Sequence, residues 1–303
     1  MTNTILMIQP AAFGLNKETA VNNHYQKKTK ELAKTIHEKG LKEFHILVEK
    51  LEKVGVKVIV VKDTKTPKKP DAIFPNNWIT FHKKGVVCVY PMFAKNRRAE
   101  RRDMVLKTIE KEGFEIKSVI DYTTAEEEGL FLEGTGSMVL DRKNKVAYCS
   151  LSPRSSESLF IEFCEDMEYT PIVFRANHLV NSKRKPIYHT NVMMSIGEKF
   201  AVICLQTISD KKQRKHVAES LQNSGKEIIN ISIEQVAHFA GNILQVKGKG
   251  NKAYIVMSAT AHKSLSKAQI SMIEKHGKII KADVKTIEQN GGGSVRCMLA
   301  EIF

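Results

Sequence analysis

One short segment recurs five times along the 303 residues, and nothing else in the chain restricts its fold as much. The copies are Phe74-Pro75-Asn76-Asn77-Trp78-Ile79-Thr80, Phe131-Leu132-Glu133-Gly134-Thr135-Gly136-Ser137, Tyr188-His189-Thr190-Asn191-Val192-Met193-Met194, Phe239-Ala240-Gly241-Asn242-Ile243-Leu244-Gln245 and Ser294-Val295-Arg296-Cys297-Met298-Leu299-Ala300. Their fourth positions, 77, 134, 191, 242 and 297, are separated by 57, 57, 51 and 55 residues. After each of the first four comes a β-branched or aromatic run bounded by Gly, Lys or Asn: 85–90, 145–151, 200–205 and 253–257. Such runs read as strands. Helical stretches follow, clearest in Lys211 to Asn223 and Ser264 to His276, where Leu265, Ala268, Met272 and Ile273 recur at helix spacing. Further strands close each unit at 114–120, 171–174, 227–231 and 278–282. The unit is β-β-α-β.

The N-terminal quarter completes the count with a strand Ile5 to Gln9, a loop to Asn22-Asn23, a helix Gln26 to Val54 and a strand Lys57 to Val61; Asn22 lies 55 residues before Asn77. Units of one size stack or close on themselves, each covering the apolar face its neighbour leaves open. The expectation is a single α/β domain over residues 1–303, five units around a pseudo-fivefold axis, with the fourth positions at its centre.

Composition restricts function more than fold. With 42% hydrophobic and 27% charged residues and no 18-residue apolar run, the chain reads as a soluble protein with no membrane span. Met1 to Gln9 reads as a first strand, not a signal peptide. Five cysteines without a CxxC pair suggest neither a disulfide frame nor a zinc knuckle, and a reducing cytoplasm fits best. The formal charge of +15 raises the question of nucleic acid, but the excess is mostly scattered lysine, and the densest run, Arg97-Arg98-Ala99-Glu100-Arg101-Arg102, contains a carboxylate. A solvated basic surface is the reading adopted. His82, His238 and His262 have no ligand partner at i+3 or i+4, so no metal site is indicated. A homo-oligomer is compatible with all of this.

The repeats are most informative where they differ. Scaffold positions stay aromatic or apolar, while the central ones carry Asn76, Asn77, Glu133, His189, Asn191, Asn242 and Cys297. Each alone has an ordinary explanation: a turn Asn, a surface Glu, a core His, a small buried Cys. Their convergence at one repeat-equivalent level, with Gly291-Gly292-Gly293 delivering the chain to Cys297, points to a site.

The set Phe74-Pro75-Asn76-Asn77, Glu133-Gly134-Thr135-Gly136, His189-Thr190-Asn191 and Gly291 to Cys297 resembles the guanidino-group-modifying superfamily of arginine deiminases, dimethylarginine hydrolases and amidinotransferases. The resemblance spans the chain and is greatest to amidinotransferase-like hydrolases of citrulline utilisation. It implies a five-bladed α/β propeller, the pentein fold, with Cys297 as nucleophile, His189 as acid-base group and Glu133 as the carboxylate orienting it. Deiminases carry aspartates where Asn77 and Asn191 stand, and an aspartate in the segment that here reads Thr135-Gly136.

A free thiol is mostly protonated at neutral pH, so a histidine beside it is needed to draw off the proton. Cys297 would then attack the planar carbon of a guanidino or ureido group, and water would cleave the adduct; no cofactor is required. A buried guanidinium without a counter-charge is penalised, whereas an Asn amide matches the donors and acceptor of a neutral urea. The expected substrate is therefore a small ureido amino acid, citrulline first and an arginine-type compound next. Phe74, Asn77 and Asn191 are expected to line the substrate, and its carboxylate needs an arginine: Arg154, in Ser152-Pro153-Arg154, or Arg97 or Arg296. The alternatives are an amidinotransferase, in which an amine resolves the adduct, and a non-catalytic basic pentein that binds nucleic acid.

Overall fold

The computed structural model describes residues 1–303 as a mixed α/β fold containing five three-stranded sheets of one topology. In each, the first strand is antiparallel to the second, and the second is parallel to the third. One sheet joins Ile79–His82, Val86–Val89 and Ser118–Asp121. The next joins Met138–Asp141, Val146–Ser150 and Thr170–Phe174. The third and fourth join Met194–Ile196, Phe200–Ile203 and Glu227–Asn230, then Leu244–Lys247, Ala253–Ser258 and Lys278–Ala282. A tight turn suffices for the antiparallel pair. The parallel pair needs a crossover, which is why a helix separates the second and third strands every time.

The fifth sheet takes its strands from both ends of the chain. Ala300–Ile302 runs antiparallel to Thr4–Gln9, which pairs in parallel with Lys57–Lys62 across the helix Ala33–Lys53. The fifth unit is thus split, its central residue is Cys297, and Asn22 is no counterpart of Asn77. Nor does the helix start at Gln26. Residues 26–32 carry three lysines and only one apolar side chain, Leu32, which stays exposed, so they have no face to bury and continue the loop from residue 10. The stretch 264–276 also differs from expectation. It breaks at Leu265, because Ser266 and Gln269 form a capping box that starts a new helix at Lys267. A hairpin, Asn177–Val180 with Lys183–Pro186, adds an exposed arm before Tyr188.

First strands of neighbouring sheets lie side by side: Ala300–Ile302 by Ile79–His82, and Met194–Ile196 by both Met138–Asp141 and Leu244–Lys247. Just before them the chain makes single helical turns at Pro75–Asn77, Gly134–Ser137, Thr190–Met193 and Val295–Met298. These turns meet, and glycine lets them. Gly134 has φ +46°, and a Cβ there would sit 2.4 Å from the Asn76 carbonyl oxygen. A Cβ on Gly136 would lie 2.5 Å from Asn77 Nδ2 and 2.7 Å from the His189 ring. The Gly-Thr-Gly run is therefore what allows three sheets to bring their central segments together.

Candidate active site

Glu133 and His189 each stand immediately before one of these helical turns, which aims both side chains inward. Glu133 Oε2 accepts from His189 Nε2 at 2.8 Å, while Glu133 Oε1 accepts from the Phe93 amide at 3.0 Å. Both residues are buried. Because a carboxylate only accepts, Nε2 carries the proton and Nδ1 of the neutral ring is left as the basic atom. Burial would lift the Glu133 carboxyl, but the Arg154 guanidinium, the His189 hydrogen bond and Arg97 hold it at about 2. Burial pushes His189 down to about 4, assisted by the two arginines and only partly offset by Glu133. The resting pair is an anion beside a neutral imidazole.

Cys297 arrives from Gly291–Gly293 on the last helical turn and is 2% exposed. Its sulfur is approached by Asn242 Nδ2 at 3.3 Å and Asn191 Nδ2 at 3.5 Å. Asn242 is clamped in turn: Nδ2 donates to the Asn191 carbonyl at 2.9 Å and Oδ1 accepts from the Arg296 amide at 3.0 Å. Two asparagine amides from different sheets thus face the sulfur, Asn191 presenting its Oδ1 as well, at 3.7 Å. His189 and Cys297 line one pocket together with Asp71, Phe74, Asn77, Arg97 and Arg154.

The arginines differ in their engagements. Arg97 grips Glu100 with two bonds of 2.9 Å and donates to Asn77 Oδ1 at 2.8 Å, so its fork is largely spent inside the protein. Arg154 reaches Glu133 at 3.5 Å and stacks on Tyr188, but its remaining donors meet only the N-terminal loop: the Thr19 carbonyl at 2.9 Å and Asn22 Oδ1 at 2.9 and 2.5 Å. That loop is also fastened by Asn23 and Gln26, which donate to carbonyls of Gly291 and Gly292. It leaves a space of only about 10 Å³, roughly one water.

Arg296 is a correction. Its guanidinium turns away from the pocket and binds the Leu299 carbonyl at 2.8 Å and Glu301 at 3.2 Å, because successive residues of a tight turn point to different sides. Asn191 likewise sits behind the sulfur and does not line the pocket. Asp71 was not anticipated. One of its oxygens accepts from Asn16 at 2.8 Å and Thr19 at 3.1 Å, and the other is buried without a partner. Burial raises its carboxyl despite Arg97. Lying three residues ahead of Phe74, outside the repeated segment, it gave no signal of its own. Asn242 did stand at a repeated fourth position, and that was the available clue to its contact with the sulfur.

A buried thiol, an imidazole oriented by a carboxylate and a mixed α/β frame of five like sheets fit the pentein, guanidino-modifying class of hydrolases. Residues 9–303 match the family model described as N,N dimethylarginine dimethylhydrolase, eukaryotic, and the chain belongs to that family of hydrolases acting on non-peptide carbon–nitrogen bonds. Among solved structures it is similar to the N-terminal domain of ArgZ bound to substrate, an arginine dihydrolase from the ornithine-ammonia cycle in cyanobacteria: TM-score 0.72, 16% identity, 98% of each chain covered. An AgrE variant bound to L-arginine gives TM-score 0.75 at 15% identity over 99% of this chain and 40% of that one. A dimethylarginine dimethylaminohydrolase adduct with S-methyl-L-thiocitrulline gives 0.67 at 15% identity over 99% of both. No curated protein matches the chain by sequence. No helix is long and apolar enough to cross a membrane.

Proposed function

We propose that this chain is a single catalytic unit, a five-bladed α/β propeller, that hydrolyses the ureido group of a small amino acid. Citrulline is the first candidate and an arginine-type compound the next. Cys297 gives its proton to His189 Nδ1 and attacks the planar carbon; the imidazolium, stabilised by Glu133, returns the proton to the departing nitrogen. The neutral imidazole then takes a proton from water, the hydroxide attacks the thioester-like carbon, and the sulfur leaves as thiolate to be reprotonated. The amide donor of Asn242 on the sulfur supports both the first and the last step.

One observation carries the choice of substrate: the catalytic layer around the sulfur is neutral. Asn77 supplies the amide of the pocket wall where a guanidinium would need a counter-charge, Asn191 and Asn242 back the sulfur with neutral amides, and the wall holds one carboxylate, Asp71. Asp71 is better suited to the α-ammonium group, with Arg154 taking the α-carboxylate in place of Asn22 and Phe74 packing on the chain between. The free thiols of all five cysteines support a reducing compartment, taken to be the cytoplasm. Assay of purified protein on citrulline and arginine decides the matter: citrulline should be preferred by about tenfold or more in kcat/KM. A preference for arginine would overturn the ureido reading. Mass spectrometry of quenched enzyme should show the adduct on Cys297.

A further inference from the structure

Behind the catalytic layer lies a second and far larger cavity of about 770 Å³, which shares no lining residue with the pocket around Cys297. Thr135, Asn191 and Arg296 form part of its wall, so the two spaces stand back to back. The volume is that of a small-molecule site. Val139, Met194 and Ile243 give it an apolar side.

Its charges are unevenly satisfied. The five acids around it have other partners: Asp141 pairs with buried Lys226 at 2.9 Å, Glu301 with Arg296 at 3.2 Å, Glu198 with the Met1 ammonium at 3.6 Å and Glu168 with Lys145 at 4.0 Å, while Asp166 accepts from the Tyr122 hydroxyl at 2.8 Å. Arg142 has no carboxylate partner. Its guanidinium lies over the Phe303 ring, 4.3 Å from the centroid, with Nη1 3.1 Å from His82 Nδ1. Burial and the neighbouring cations Arg142 and Lys145 keep His82 neutral, so it accepts from Arg142 and fixes the fork. Ser195, 6% exposed, also lines the cavity, and its hydroxyl is buried without a partner. A buried hydroxyl without a bond is costly and marks a place where a polar ligand atom belongs.

We propose that this cavity is a second ligand site, for a small organic anion whose carboxylate or phosphate pairs with Arg142 and whose apolar body lies against Val139, Met194 and Ile243. A fixed, uncompensated guanidinium beside an apolar wall selects that chemistry.

The test uses 4-bromobenzoate and 4-bromophenyl phosphate with the 303-residue Cys297→Ser protein, locating bromine by its anomalous signal in crystals and measuring affinity by calorimetry. At least one compound is expected in the cavity with its anionic group on Arg142, and the tighter of the two identifies the head group. Affinity should fall by roughly tenfold or more in Arg142→Gln and partly recover in Arg142→Lys, which keeps the charge but loses the fork. A bromine peak confined to the Cys297 pocket, no binding of either compound, or affinity unchanged in a folded Arg142→Gln protein would each overturn the proposal.

Discussion

At the scale of single residues, the site makes distinct demands on each side chain. Cys297→Ala is expected to remove turnover and the covalent adduct while leaving the fold, since the change is small and the sulfur's partners are neutral amides. His189→Ala should lower kcat by roughly 10²–10⁴-fold, the range of a lost general base. Arg154→Ala should raise KM by roughly tenfold or more, with little change in alkylation of Cys297 by iodoacetamide. Acid provides a different test. The folded state depresses the His189 pKa from 6.5 to about 4, so over that interval the unfolded chain binds the extra proton and stability falls as pH falls. Urea denaturation between pH 7 and 4 should show this slope, and His189→Asn should lessen it, leaving the share of His82 and His178, which burial also holds low. The catalytic candidates were legible because polar residues interrupt an otherwise apolar repeat. Arg296 was misassigned because adjacency in sequence does not give a shared direction, and Asp71 was hidden because only the folded chain brings it beside Arg97 and Thr19.

At the scale of elements, the loop spanning residues 10–32 closes the pocket and occupies Arg154 through Asn22 Oδ1 and the Thr19 carbonyl. Substrate must displace these bonds. Asn22→Ala is therefore expected to lower KM for an amino-acid substrate several-fold while leaving the Glu133–His189 pair untouched; steady-state kinetics measures it, and an unchanged KM would show that the substrate does not compete with the loop. The strands were legible from β-branched runs, and the helix Lys211–Asn223 matches its expected bounds because Asp210 caps it and Val217 and Leu221 give it a buried stripe. Only residues 26–32 of this loop read as helix in the sequence, since charge-rich residues carry no pattern that separates a solvated helix from a strap held by backbone carbonyls.

At the scale of the whole molecule, the period of the repeat revealed the number of sheets but not how the count closes. A linear reading places five units end to end, whereas the chain borrows one strand from its last residues to finish the sheet begun by its first. Ile302, 2% exposed, packs into the same apolar cluster as Trp78, Ile79 and Phe81. Ile302→Ala should cost about 2–5 kcal/mol, read from the urea midpoint, and should reduce activity in parallel because Cys297 enters that strand.

The pairing of Thr4 with Ile302 also brings residues 1 and 303 close together at a seam. A seam can be sewn shut and the cloth cut elsewhere. Linking residue 303 to residue 1 by a short glycine tether and opening new ends between Asn181 and Ser182, at the exposed tip of the hairpin, should yield a circular permutant that folds and turns over substrate.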